Sequence, residues 1–140
     1  MAFVLGEIES VDRVIKFEQP ASAGKPKRKV DFVATFKVHP HEVVQERRRE
    51  LAEYMEGIRK ERERARKDPE YQPQFSDRNF DDEMLLEDII NLKGVMSTDG
   101  SELEFSADLL ARVLQDRPAR QALLDEWIAI NSDDAIKRKN

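Results

Sequence analysis

The sequence predicts an α+β protein in which an N-terminal antiparallel pair of β-strands is followed by about four helices, so that the C-terminal half is mainly helical. Three patterns support this class: two alternating apolar stretches before residue 40, a long helical pattern over residues 41–67, and shorter helical patterns over residues 80–132. A length of 140 residues is enough for one domain with a modest core. We therefore expect a single domain over residues 1–140.

Residues 1–40 predict the β-pair. Residues 3–17 (FVLGEIESVDRVIKF) are rich in β-branched and aromatic residues, and residues 29–38 (KVDFVATFKV) alternate between apolar and polar throughout. Such alternation is typical of a strand with one buried face. Residues 19–28 between them carry two prolines and a glycine and are predicted as a loop. Because a lone pair of strands is marginally stable, another element must cover its apolar face.

Residues 41–67 predict one long charged helix, and residues 68–79 predict a loop. Pro40 stands where a helix can begin without losing a hydrogen bond. Apolar residues recur on one side of the helix at Val44, Leu51, Met55 and Ile58. Beyond Ile58 the helix is charged on every side. That half is therefore either a solvated extension or a surface that binds a partner.

Residues 80–132 predict the helical part of the chain, and residues 133–140 predict a polar tail. The first helix of this part covers residues 80–92, and its apolar face consists of Leu85, Leu86, Ile89, Ile90 and Leu92. Acidic residues at its start suit the positive end of the helix dipole.

Two further helices are predicted after an Asp-Gly turn at Asp99. Ser106 is a good N-cap residue for the first of them, and Phe105 with Leu110 has the spacing of a hydrophobic staple. Pro118 begins the second. The apolar side of this last helix consists of Ala119, Ala122, Leu123, Trp127 and Ile130.

Composition excludes several function classes. The chain has no cysteine, which excludes disulfides, zinc–thiolate sites and thiol nucleophiles. No apolar run approaches the ~18 residues of a membrane helix, and the first residues lack the pattern of a signal peptide, so we expect a cytosolic protein. The net charge of −5 argues against a simple basic nucleic-acid binder. Residues 68–105 carry 11 acidic and 2 basic side chains and would attract a basic partner.

Three groups of residues are candidate metal sites. Aligned as an EF-hand loop, the residues around Asp99 lack most of the ligand oxygens, and Asp-Gly is a turn signal. The carboxylates of residues 81–88 could hold Mg²⁺ in a nuclease-like site, but acidic first turns are ordinary helix stabilisers. His39 and His41 flank a proline, and the chain has no third histidine. We expect no metal, no cofactor and no catalytic residue.

The residues from 84 to 140 follow a characteristic order. They run Ile89-Ile90-Asn91-Leu92-Lys93-Gly94-Val95, Asp99-Gly100, Phe105-Ser106, Leu109-Leu110, Val113-Leu114, Pro118, Ala122-Leu123 and Trp127. An acidic helix and a Gly-Val step lead into an Asp-Gly turn, a Phe-Ser step begins a helix, and a helix begun by proline ends with an aromatic residue. This order resembles the small tail assembly chaperones of long-tailed bacteriophages.

The resemblance implies a non-enzymatic protein of the host cytoplasm. It implies binding to the tape measure protein and recruitment of tail tube subunits, and a homo-oligomer is expected; nucleic acid and membrane are not expected partners. The residues expected to contact partners lie in the apolar faces of the later helices: Leu85, Leu86, Ile89, Leu109, Leu110, Val113 and Trp127. The alternatives are a structural virion component of the neck or tail and, less favoured, a metal-dependent nuclease-like enzyme.

Overall fold

The structure is a computed structural model that describes residues 1–6, 9–20 and 23–131. The elements in chain order are β1 (Ser10–Gln19), β2 (Arg28–Lys37), α1 (His41–Lys67), α2 (Phe80–Asp88), β3 (Ile89–Lys93), α3 (Ala107–Val113) and α4 (Arg117–Asn131). The predicted α+β class, the antiparallel N-terminal strands and the mainly helical C-terminal half are confirmed. The predicted polar tail over residues 133–140 lies outside the described residues.

The chain divides into two compact units. The first, the sheet unit, is formed by the residues up to Val38 and from Asp81 onward, and the second, the helix unit, is formed by His39–Phe80. The expectation of one domain over residues 1–140 stays a prediction.

A three-stranded antiparallel sheet of order β1-β2-β3 forms the first layer of the sheet unit. The clearest alternating sequence, β2, lies in the centre. Its inward residues Phe32, Ala34 and Phe36 are buried. The first strand begins later than predicted, at Ser10. Residues 3–6 are not in a strand, and Gly6 has a φ of 76°, a turn conformation that favours glycine.

The third strand replaces the end of a predicted helix. The helix expected over residues 80–92 ends at Asp88, and the next five residues pair with β2. Phe36 pairs with Ile89 while Thr35 pairs with Asn91, so Ile90 is the extra residue of a β-bulge. The bulge lets Ile89 and Leu92 both be buried. Residues three apart that share a buried face imitate a helical period, and this spacing made the sequence-based prediction wrong here.

The core of the sheet unit lies between the inner face of the sheet and the helices. Its buried apolar residues are Ile15, Phe32, Ala34, Phe36, Leu85, Ile89, Leu92, Leu109, Leu110, Leu114, Ala119, Leu123 and Leu124. The last helix, α4, packs on β1 and supplies the cover that the apolar face of the sheet requires. The predicted N-cap is confirmed, because Ser106 Oγ accepts a hydrogen bond of 3.0 Å from the backbone N–H of Leu109.

In the helix unit, the long charged helix has the predicted bounds and contains no buried residue. The predicted loop, residues 68–79, lies along α1 and is called the return segment below. Tyr71 Oη donates a hydrogen bond of 2.5 Å to Glu61 Oε2, and Tyr54 Oη donates one of 2.6 Å to the carbonyl of Ser76. The return segment therefore runs antiparallel to the C-terminal half of α1, which the sequence alone left without a neighbour.

Candidate partner-binding surfaces

The residues predicted to contact partners occupy three different environments in the sheet unit. Four are buried in the core, at exposed fractions of 0% for Leu85, 1% for Leu110, 2% for Ile89 and 5% for Leu109. Val113 and Trp127 are half-buried and pack against that core. Leu86 is 48% exposed and is directly accessible. The partner-binding role of this set stays a prediction, and burial shows that four of its members also form the core of the sheet unit.

The carboxylates of residues 81–88 do not converge. Asp88 is fully buried and its Oδ2 accepts a hydrogen bond of 2.7 Å from Trp127 Nε1. Asp82, at the start of α2, forms an ion pair of 2.8 Å with Arg120 of α4. Both contacts connect α2 to α4 across the core. In the described part of the chain, no group of three or more His, Cys, Asp or Glu side chains is arranged to hold a metal ion.

The Asp-Gly stretch forms a turn, as the sequence predicted. Asp99 Oδ1 accepts hydrogen bonds from the backbone N–H of Ser101 at 2.9 Å and from Ser101 Oγ at 2.6 Å, and Ser97 Oγ donates to it as well. These donors lower the pKa of Asp99 to about 2. Gly100 has a φ of 86°. The Asp99 carboxylate is therefore hydrogen-bonded within the turn that precedes α3.

The two histidines lie at the start of the helix unit. His39 is half-buried just after β2, and His41 is exposed as the first residue of α1. They do not belong to any described cluster of metal-ligating side chains.

One side of α1 carries exposed apolar residues between arginines. Leu51 is 43% exposed and Met55 is 57% exposed. Arg48 and Arg62 are also exposed, and their spacing places them on the same helix side as the two apolar residues. We call these four residues, Arg48, Leu51, Met55 and Arg62, the α1 strip. Leu51 and Met55 belong to the apolar side of the helix that the sequence predicts, but they are not among the residues that the sequence predicts to contact partners.

Ion pairs between neighbouring turns line the rest of α1. Arg49 pairs with Glu46 and Glu53, and Arg59 pairs with Glu56 and with Glu63. Each exposed pair at this spacing contributes little on its own. Several such pairs in series favour the helical state of α1, which has no fully buried residue to stabilise it. The strip therefore lies on a continuous helix.

The return segment lies along the side of α1 adjacent to the strip, so Ile58, the last residue of the predicted apolar stripe, is half-buried at the boundary between the two sides. The half-buried residues Tyr54 and Glu61 lie on the covered side. Glu61 Oε2 also accepts a hydrogen bond of 3.0 Å from the backbone N–H of Gln74. The bond from Tyr71, followed by that from Gln74, lowers the pKa of Glu61, and the same bond raises the pKa of Tyr71. Within the helix unit, the return segment therefore packs on one side of α1, and the α1 strip stays exposed.

Aromatic rings hold the end of the return segment. The rings of Tyr54 and Phe80 have their centroids 5.1 Å apart, and the guanidinium of Arg78 lies 4.1 Å above the Phe80 ring. A second cation–π contact places Arg64 4.1 Å above the Tyr71 ring. The ring contact from Tyr54 and the cation–π contact from Arg64 both start on α1, so these two contacts fix the segment against the helix.

Comparison of the chain with protein-family models, with curated proteins and with solved structures gave no match. Among the described residues, no helix is both long enough and apolar enough to span a membrane.

Proposed function

We propose that this protein is a tail assembly chaperone of a long-tailed bacteriophage. It acts in the host cytoplasm by binding, without catalysis. Its partners are the tape measure protein, which it keeps soluble, and the tail tube subunits, which it recruits. The observation that carries the proposal is the α1 strip, an accessible apolar surface on a long helix that the chain itself does not bury.

The chemistry of the strip suits a helical client. A tape measure protein exposes long helical apolar stripes, and two helices pack when side chains of one fill the grooves of the other. Met55 is unbranched and adapts its shape to different neighbours, which favours binding at many points along a repetitive partner. Arg62, at the C-terminal end of the strip, would pair with an acidic side chain beside the client's stripe.

The charged surface suits a protein that shields an apolar client. Charged residues make up 38% of the chain, against about 25% in typical globular domains. The ion pairs on the remaining sides of α1 keep that surface hydrated while the strip contacts the client. The complex would therefore stay soluble although both partners carry apolar stripes.

The resemblance supports the same proposal from the sheet unit. The acidic helix α2 ends just before the residues that carry it. These residues fall on the strand β3, an Asp-Gly turn, a helix capped by Ser106 and a helix that contains Pro118 near its start. The pattern thus corresponds to successive structural elements of one compact unit.

Co-expression with the two expected partners tests the proposal. The chain should co-purify with the tape measure protein, and the tape measure protein should precipitate when expressed without it. Mass spectrometry of purified phage particles should show the tube protein but not this chain. Its presence in particles at a fixed stoichiometry would favour the structural virion component, and failure to bind the tape measure protein would refute the chaperone.

A further inference from the structure

The first strand of the sheet has an edge that no described strand pairs with. In the order β1-β2-β3, β1 is hydrogen-bonded to β2 on one side only. An edge of 10 residues is long for an unprotected strand, because its outward N–H and C=O groups can template the addition of another chain. The residues along this edge of β1 determine which chain can pair with it.

The hydrogen-bond pattern identifies the residues that face outward. The backbone N–H of Val38 donates to the carbonyl of Glu9 at 2.9 Å, which makes this opposed pair a hydrogen-bonded one. Since such pairs alternate with non-bonded pairs in an antiparallel ladder, the odd-numbered residues of β1 bond to β2. The even-numbered residues direct their N–H and C=O groups to the open edge. These are Ser10, Asp12, Val14, Lys16 and Glu18, and all five are exposed.

The outward residues are self-complementary in charge. Val14 is 53% exposed and lies at the centre, with Asp12 and Lys16 two residues away on either side. Two copies of β1 that run antiparallel around Val14 therefore place Asp12 of each copy opposite Lys16 of the other. In this register each even-numbered residue of β1 lies opposite an even-numbered residue of the other copy. The outward N–H and C=O groups of the two strands can therefore hydrogen-bond to each other.

We propose that a second copy of this chain docks on this edge, with β1 pairing antiparallel to β1 around Val14. The two sheets then form one six-stranded antiparallel sheet with a two-fold axis between the two Val14 residues. Opposite charges in directly opposed positions stabilise such cross-strand pairs. The inference is independent of the proposed function, since it rests on the edge of the sheet unit alone.

The charges also select the register. Sliding one copy by two residues keeps the even-numbered residues opposed, but in one direction it brings Asp12 opposite Glu18. In the other direction it leaves Asp12 opposite Val14. The first shift is repulsive and the second loses both ion pairs, so the register centred on Val14 is favoured. Charged residues on edge strands usually discourage association, whereas here their symmetric placement permits it for an identical chain.

A groove beside the edge adds a second complementarity. It lies between β1 and α4 in the sheet unit and is lined partly by Val14, Lys16, Gln121 and Asp125. The proposed register places Arg13 of the second copy opposite Ile15, on the side of the sheet that α4 covers. Its guanidinium would then lie close to Asp125 and Glu126, the acidic residues that α4 contributes to the groove. In the single chain, Arg13 Nε is buried with no hydrogen-bond partner among the described residues.

Charge reversal tests the dimer and its register together. The wild-type chain should show twice the 16.3 kDa of one chain in sedimentation equilibrium at high concentration. Lys16→Asp and Asp12→Lys should each raise the dimer dissociation constant at least tenfold. The double variant Asp12→Lys/Lys16→Asp should restore it, and an equimolar mixture of the two single variants should form a heterodimer.

Two further variants separate the edge from the rest of the sheet. Val14→Pro removes an outward N–H without touching the β2 ladder, so it should abolish the dimer while circular dichroism shows a folded chain. Lys37→Asp makes the same charge change on β2 and should leave dimerisation unchanged. A monomer at all concentrations, a dimer indifferent to Lys16→Asp and Val14→Pro, or single variants that the double variant does not rescue would overturn the proposal.

Discussion

Trp127 and Asp88 are joined by a hydrogen bond of 2.7 Å, although 39 residues separate them in sequence. The indole N–H of α4 donates to a carboxylate that is fully buried at the end of α2. A buried carboxylate is costly unless its oxygens accept hydrogen bonds, so the contact fixes α4 against α2. It also explains why the one tryptophan of the chain lies against the core beside a polar group.

Trp127→Phe should destabilise the sheet unit by about 1–3 kcal/mol, because it removes a donor from a buried acceptor as well as apolar contact area. Urea unfolding followed by circular dichroism measures the change. Leu86→Ala, in an exposed position on α2, serves as the control and should change stability by less than about 1 kcal/mol. Equal stability of the Trp127→Phe variant and the wild type would show that the hydrogen bond contributes nothing.

Ser106→Ala should lower stability by about 1 kcal/mol, because the N–H of Leu109 loses its side-chain acceptor at the start of α3. Ser106→Asp retains an acceptor and adds a favourable interaction with the helix dipole, so it should be close to the wild type. Thermal unfolding of the three proteins compares them. If the alanine and aspartate variants unfolded at the same temperature, the assigned cap would be wrong.

The bond between Tyr71 and Glu61 makes the return segment sensitive to pH at both extremes. The pKa of Glu61 is lowered from 4.5 by the bond from Tyr71, so its contribution is complete above pH 4.5 and is lost as pH falls through the lowered pKa. The pKa of Tyr71 is raised from 10.0 by the same bond, so that contribution is complete below pH 10.0 and is lost as pH rises through the raised pKa.

Tyr71→Phe tests this bond while keeping the ring beneath Arg64. We expect faster amide exchange at Gln74, whose N–H also bonds Glu61, and a rise in the pKa of Glu61 toward its ordinary value, because the bond that lowers it is removed. The amide of Leu109, in the sheet unit, provides the internal control and should exchange at its wild-type rate. Unchanged exchange at Gln74 would show that the return segment is held by its other contacts.

The sequence predicted most of this fold because local rules determine most of it. Pro40 and Ser106 marked two helix starts correctly, and alternation identified β2 to within one residue at each end. The third strand was missed because the bulge at Ile90 gives a strand the spacing of a helix face. The partner of Asp88 could not be predicted, since no local pattern connects residues on different elements.

The candidate surfaces were predictable only in part. Leu51 and Met55 show a one-sided apolar spacing in the sequence, but their exposure depends on which side of α1 the return segment covers. Leu85 in α2 and Leu110 in α3 also belong to apolar faces with helical spacing, but both residues are buried. Spacing identifies an apolar face, and only the tertiary arrangement determines whether that face meets the core or remains accessible.

We propose that the α1 strip binds a helical client. Its most direct test compares Leu51→Asp/Met55→Asp with Lys60→Asp, which places an aspartate on the opposite side of the same helix, in binding assays with purified tape measure protein. Circular dichroism establishes that each variant keeps α1 helical. The double variant should weaken binding at least tenfold, about 1.4 kcal/mol, while Lys60→Asp should bind like the wild type. Equal affinity of all three proteins for the client would contradict it.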